Sequence, residues 1–328
     1  MSIVQGVAIA FGIASAAAFG MAGQGCAAAG PESSPSLVER LGYDKDTRLL
    51  IVHADDVGAS HAINLATFDA LASGLVTSAS VMIPSAGLQE VADYAAKHPE
   101  ADLGLHLTLT TDDAYDRWAP VAPRAEVPSL IDSQGHLLPG PREALGQIDP
   151  KEVEIELKAQ TRRAKELGLR PTHLDSHQFQ LFFRTELFEA YRRVGREAGL
   201  PVLLAHGLFS LMRERMAARA PKYESLLGPN DLVIEDAISM TPEAASGGRE
   251  AFYESVLKSL RPGVSEIIIH VGYEAEVPSD RRGDDPFGSA WRQKDFDYFT
   301  GPAFKELLRQ QDIRLISWRD LARLKPAH

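Results

Sequence analysis

Two adjacent carboxylates, Asp55 and Asp56, follow directly on the apolar run Leu49-Leu50-Ile51-Val52-His53-Ala54. His106 closes a second such run, Leu103-Gly104-Leu105-His106, and His270 ends a third, Ile267-Ile268-Ile269. His173, Asp175 and His177 are spaced by two, which in an extended chain puts all three on one face. Two neighbouring carboxylates are costly to bury together unless a cation is near. At a strand end one of them can bind a metal while the other handles a proton. The His173/Asp175/His177 spacing sets imidazole beside carboxylate, either as two ligands or as a ligand with its orienting partner. Two histidines and one carboxylate suit Zn or another divalent ion with open coordination positions. Such an ion polarises an amide carbonyl and makes a water proton easier to lose. A carboxylate base then takes that proton, and a second acid, often His, protonates the leaving amine. The single cysteine, Cys26, rules out both an internal disulfide and a metal site built on thiolates.

The elements that position these residues follow from periodicity. Residues 49–54 read as a buried strand from their continuous apolar run. A helix over 60–73 follows, closed by Gly74. Further strands are expected at 77–83, 102–107, 171–177, 202–205, 232–234, 266–271 and 314–317. Helices are expected at 149–168, 185–198, 249–260 and 302–310. The first of these helices opens on Asp149 as N-cap with Pro150 at its first position, and Glu152 is expected to complete a capping box. In the second, Leu187, Tyr191, Val194 and Ala198 form an apolar stripe. Strand and helix alternate, which implies a mostly parallel α/β sheet with about seven strands. They close into a TIM-barrel-like (β/α) barrel or, as the alternative, lie in an open doubly wound sheet. In a parallel barrel all the strand ends named above point to one face. Residues 111–148 lack periodicity and read as an irregular insertion over one end. Arg281, Arg282 and Trp291 fall in a late polar stretch read as a solvated loop.

These motifs occur together and in order: His53-Ala54-Asp55-Asp56-Val57-Gly58, Gly74-Leu75-Val76-Thr77-Ser78, Gly104-Leu105-His106-Leu107, Pro171-Thr172-His173-Leu174-Asp175-Ser176-His177 and the tail Ile313–Leu321. Over about residues 38–325 the chain resembles the YdjC-like carbohydrate deacetylase family. That resemblance implies an irregular (β/α) barrel that removes N-acetyl groups from chitooligosaccharides and related sugars. It further implies Asp56, His106 and His177 as metal ligands for a divalent ion (Mg or Zn), Asp55 as general base and His270 as general acid. Asp175 and His173 would stand behind the ligands, and His53 would pack under the site. The family carries Pro after the last histidine, where Val271 stands here. Gln178, Phe179 and Gln180 stand where many members carry further histidines. The resemblance also implies a homodimer.

The net charge of -11 over 328 residues argues against nucleic acid as a partner. No charged residue precedes Glu32, and residues 1–29 read as an export signal cut after Ala27-Ala28-Ala29. Alternatively Cys26 becomes a lipidated first residue that anchors the chain to a membrane, or the leader stays on as an anchor. Either route places the protein in the periplasm or outside the cell. Residues 30–37 are a linker, and 38–325 form one domain. Two rivals to the deacetylase remain at this point. One is a glycosidase using Asp55 and Asp175 as its carboxylate pair. The other is an exported sugar-binding protein without catalysis.

Overall fold

The computed structural model describes residues 35–111, 117–140, 146, 148–277 and 286–324. The leader, most of the linker, Arg281 and Arg282 lie outside the described residues. Among the described residues no helix is long and apolar enough to cross a membrane.

Seven strands carry the fold: β1 (Arg48–Val57), β2 (Ser78–Val81), β3 (Leu103–Leu107), β4 (Leu174–Ser176), β5 (Asp236–Ser239), β6 (Gly263–Ile269) and β7 (Ile313–Leu315). They lie in the order β4-β3-β2-β1-β6-β5, and β7 pairs with the start of β1. All of these ladders are parallel. Leu49–Val52 and Val264–Ile269 are buried on both faces, as a parallel sheet covered by helices requires. The sheet curves into a half-barrel surrounded by helices. Single bridges, Leu174 to Val202 and Ala205 to Ile234, link its β4 edge to the chain entering β5. Residues 202–205 and 232–234 therefore contribute isolated bridges instead of the full strands expected of them. The strand at Asp236–Ser239 was not expected.

Helix boundaries follow the capping chemistry. Ser60 accepts the Ile63 N–H to start the helix His61–Ala72, and Gly199, left-handed at φ 73°, closes Thr185–Ala198. Asp149 caps Pro150–Glu166 by accepting the Lys151 N–H at 2.8 Å. The expected capping box is not formed there. Glu152 instead accepts the Ser129 N–H at 2.6 Å, and the Asp149 N–H goes to Ser129 Oγ at 2.8 Å. Both bonds tie the helix to the insertion.

The described part of the insertion, 117–140, is correspondingly packed. Trp118, Val127, Leu130 and Leu137 are buried in the core. The fully buried Glu156 accepts the backbone N–H groups of Val121 and Ala122 at 3.0 and 2.8 Å. That carboxylate supplies the acceptors that a strand partner would otherwise provide.

Helix Ser289–Phe299 stands where a solvated loop was expected. Its buried residues are Ser289, Ala290, Arg292, Asp295 and Phe299, and three of these five are polar. An apolar stripe is the usual signal of a buried helix face, and here Ala290 and Phe299 alone supply it.

Candidate metal and catalytic centre

Successive side chains on a strand point to opposite faces, so Asp55 and Asp56 could not both reach one site from a regular β1. Two features change this. The pairing with β2 slips between Ala54 and Val57, leaving one extra residue on β1. Asp56 is also left-handed at φ 68°. Such a bulge re-aims a side chain, and Asp tolerates the left-handed region better than most residues. Gln178 and Phe179, left-handed at φ 52° and 54°, follow directly on His177, just past the end of β4. Strain of this kind collects at functional sites. The expected strand over 171–177 is shortened to Leu174–Ser176, and the left-handed pair stops it at its C-terminal end.

The register does the rest. His106 on β3 and Asp175 on β4 are direct partners in the parallel ladder. His106 Nδ1 lies 2.7 Å from Asp175 Oδ1, which requires a proton between them. That bond fixes the tautomer and turns the Nε2 lone pair outward. His106 Nε2 then lies 3.5 Å from Asp56 Oδ1 and 3.2 Å from His177 Nδ1, and His177 Nδ1 lies 3.5 Å from Asp56 Oδ1. Two imidazole nitrogens this close repel unless a proton or a cation lies between them. Asp56 Oδ1 is buried and accepts no hydrogen bond. A point over this triangle is about 2 Å from all three atoms, the usual reach of His nitrogen and carboxylate oxygen to a metal. The three side chains expected from the sequence to hold an ion thus meet in one cluster able to do so.

Asp56 Oδ2 is taken by Arg292, at 2.7 Å. Against the cost of burial, this guanidinium, with His177 and His270, holds the Asp56 carboxyl well below the usual range. Arg292 was not anticipated from the sequence. It lies 236 residues from its partner, on the helix read as a loop.

Behind the triangle sits a buried network. His53 Nε2 touches Asp175 Oδ2 at 3.0 Å, Asp55 Oδ1 at 3.2 Å and Ser80 Oγ at 3.0 Å. Burial alone would lower the His53 pKa, but Glu266, Asp175 and Asp55 outweigh it and leave the imidazole well above its ordinary value. His53 is therefore more than packing under the site, since it joins Asp55 to the carboxylate that orients His106. His173 is fully buried and stacks on Trp318 at 4.7 Å. A Cβ on Gly104 would come 2.3 Å from its ring, so only glycine fits there. Both of Asp175's oxygens face imidazoles. Although burial opposes it, His106, His173 and His53 together hold this carboxyl well below the usual range. Asp55 is the most open of the three carboxylates, with its side chain 12% exposed against 5% for Asp56 and 4% for Asp175.

Glu266, on β6, was also missed, although a carboxylate heading a run of isoleucines is a readable signal. It is fully buried, accepts the Trp318 indole N–H at 3.0 Å, and is pushed by burial up to about 8, with His53 opposing. Because its folded value lies above the ordinary 4.5, the stability it confers is complete below that pH and is lost as pH rises towards 8. Glu266→Gln keeps an acceptor for Trp318 and removes the titration. Its melting temperature relative to the parent is expected to climb by on the order of 5 °C from about pH 5 to about pH 8. A constant gap across that range would show that Glu266 does not titrate there.

His270 follows β6, and its backbone N–H donates to Asp295 Oδ2 at 3.1 Å. Burial pushes its imidazole down to about 4, with Asp56 opposing and Arg292 adding to the shift, so it is neutral at pH 7. Its ring lies edge-on to Phe287 at 4.8 Å.

The chain is similar to proteins of known class. It is 34% identical over 289 residues to a carbohydrate deacetylase of Thermus thermophilus, covering 86% of this chain and 97% of that one. It is 39% identical over 128 residues to a carbohydrate deacetylase of Brevibacillus brevis, a match that spans only 48% of that relative's length. A solved structure from Enterococcus faecalis V583, described as a candidate cellobiose-phosphate cleavage protein, superposes with a TM-score of 0.68 at 22% identity, over 84% of this chain and 99% of that one. This last likeness speaks for the fold alone. The profile of the YdjC-like proteins matches residues 49–310, which takes in Asp55, Asp56, His106, Asp175, His177, His270 and Arg292, and the chain belongs to that family.

Proposed function

We propose that this protein is a metal-dependent carbohydrate deacetylase that hydrolyses the acetamide of an N-acetylated sugar. The observation that carries the reading is the triangle of Asp56 Oδ1, His106 Nε2 and His177 Nδ1, with the more open Asp55 beside it (Asp55 Oδ2 is 3.7 Å from His106 Nε2). A divalent ion held there, Mg or Zn, would polarise the acetyl carbonyl and ease loss of a proton from water. Asp55 takes that proton. His53 and Asp175 hold Asp55 and His106 in place while the charge moves. The proton that Asp55 takes from water is the one that reaches the departing amine, with His270, neutral at rest, as the group that hands it over. Water adds to the carbonyl carbon, the C–N bond breaks, and acetate and a free amino sugar leave. The names of the relatives support this choice of bond and substrate class.

The glycosidase alternative needs a protonated carboxylic acid facing the substrate. Asp175 is buried, is engaged through both oxygens by imidazoles and is held in its charged form, so it does not meet that need. The deciding experiment measures bound metal and acetate release on one preparation, using N-acetylglucosamine oligomers, before and after chelation. We expect about one ion per chain and acetate release that chelator abolishes and metal restores. Acetate release indifferent to chelator, or none from any N-acetylated sugar with metal bound, would overturn the proposal.

A further inference from the structure

Phe287 is left-handed at φ 63°, a conformation that a bulky side chain seldom adopts without compensation. What holds it is a bond from Arg292 Nε to its carbonyl at 2.8 Å, from the same guanidinium that grips Asp56. The effect is to set the Phe287 ring between His270, at 4.8 Å, and Trp291, at 5.0 Å. Trp291 is backed by the Arg249 guanidinium, 4.3 Å from its ring. Arg249 is in turn ion-paired with Asp295, whose other oxygen accepts the His270 N–H. One carboxylate therefore supports both His270 and the aromatic pair, fixing their relative position.

The chain has three tryptophans. Trp118 and Trp318 are 7% and 0% exposed, whereas both Trp291 and Phe287 are partly open. Leaving two rigid rings open beside a catalytic centre forgoes their burial energy. A sugar ring restores it, because its axial C–H face covers an aromatic face whose quadrupole attracts polarised hydrogens, while its hydroxyls stay in water. We propose that Phe287 and Trp291 form the stacking platform for the sugar ring whose acetamide enters the metal centre. This inference rests on the deacetylase reading for the identity of the ligand, and on the geometry above for its place.

The test titrates the metal-loaded full-length protein with the disaccharide of N-acetylglucosamine, by calorimetry and by tryptophan fluorescence. We expect Phe287→Leu and Trp291→Ala each to bind about tenfold more weakly, with bound metal unchanged. The fluorescence change of the parent should vanish in Trp291→Phe. Should Trp291→Ala fail to fold, Phe287→Leu, which leaves the helix intact, decides. Parent protein that does not bind, variants that bind within twofold of the parent, or variants that lose metal would each overturn the proposal. Acetate release separates the two readings. Release with an unchanged KM in both variants sinks the platform and keeps the deacetylase. Sugar binding that depends on Trp291 without any acetate release sinks the deacetylase and keeps the platform.

Discussion

Asp56→Asn is expected to yield a folded protein that purifies with almost no bound metal and releases acetate at least about 10³-fold more slowly. Three properties of Asp56 make it the most consequential single position. It supplies the one carboxylate oxygen of the triangle proposed to hold the ion, and that oxygen is buried and without a hydrogen-bond donor of its own. Its other oxygen neutralises Arg292, which is itself buried. Its backbone is left-handed at φ 68°, where Asn substitutes with little strain. Asn thus keeps the backbone and an acceptor for Arg292 while removing the charge. Asp56→Leu should fare worse, because a branched side chain strains the backbone and the buried guanidinium loses its partner, at a cost of about 3–5 kcal/mol. Elemental analysis and thermal melting read both effects. An Asp56→Asn protein with stoichiometric metal and near-parental turnover would remove Asp56 from the ligand set.

The parts of the site legible in the sequence were those written along one strand. The apolar run before Asp55 located β1, and the spacing of two at His173, Asp175 and His177 located the end of β4. The pairing of His106 with Asp175 was not legible, because it depends on the register between strands whose residues lie 69 positions apart. That Asp55 and Asp56 serve one site was readable from their place at a strand end, but the backbone that lets them do so was not. Strand alternation alone sends them to opposite faces, and only the bulge and the left-handed turn bring them together.

Arg292 and Asp295 were missed for a different reason. Burial is normally announced by apolar periodicity, and the buried stripe of helix Ser289–Phe299 announces charge instead. Local sequence logic fails where the site demands polar groups inside. The same demand put a carboxylate, Glu266, into the buried strand β6, and added a polar tie through Glu156 to the buried Trp118, Val127, Leu130 and Leu137 that hold the 117–140 segment.

Asp55→Asn should produce the complementary defect: normal metal content, KM within a few-fold of the parent, and turnover lower by about 10²–10⁴-fold. Asp55 lies outside the tightest triangle. Its Oδ2 is 3.7 Å from His106 Nε2, and its Oδ1 leans on His53 at 3.2 Å. Of the three carboxylates it is the most exposed, its side chain 12% open against 5% and 4%. An amide in its place keeps the size and the contact with His53 but cannot take a proton. If the two neighbours divide the work, Asp55→Asn separates binding from chemistry, and Asp56→Asn abolishes both by removing the ion. The reverse pattern, with metal lost from Asp55→Asn and kept by Asp56→Asn, would exchange the two roles. A protein that binds sugar but hydrolyses none, with or without Asp55, would be a lectin-like relative on this scaffold. The side-by-side pair of buried carboxylates argues against that outcome, since a binding module gains nothing from the cost of burying two such charges together.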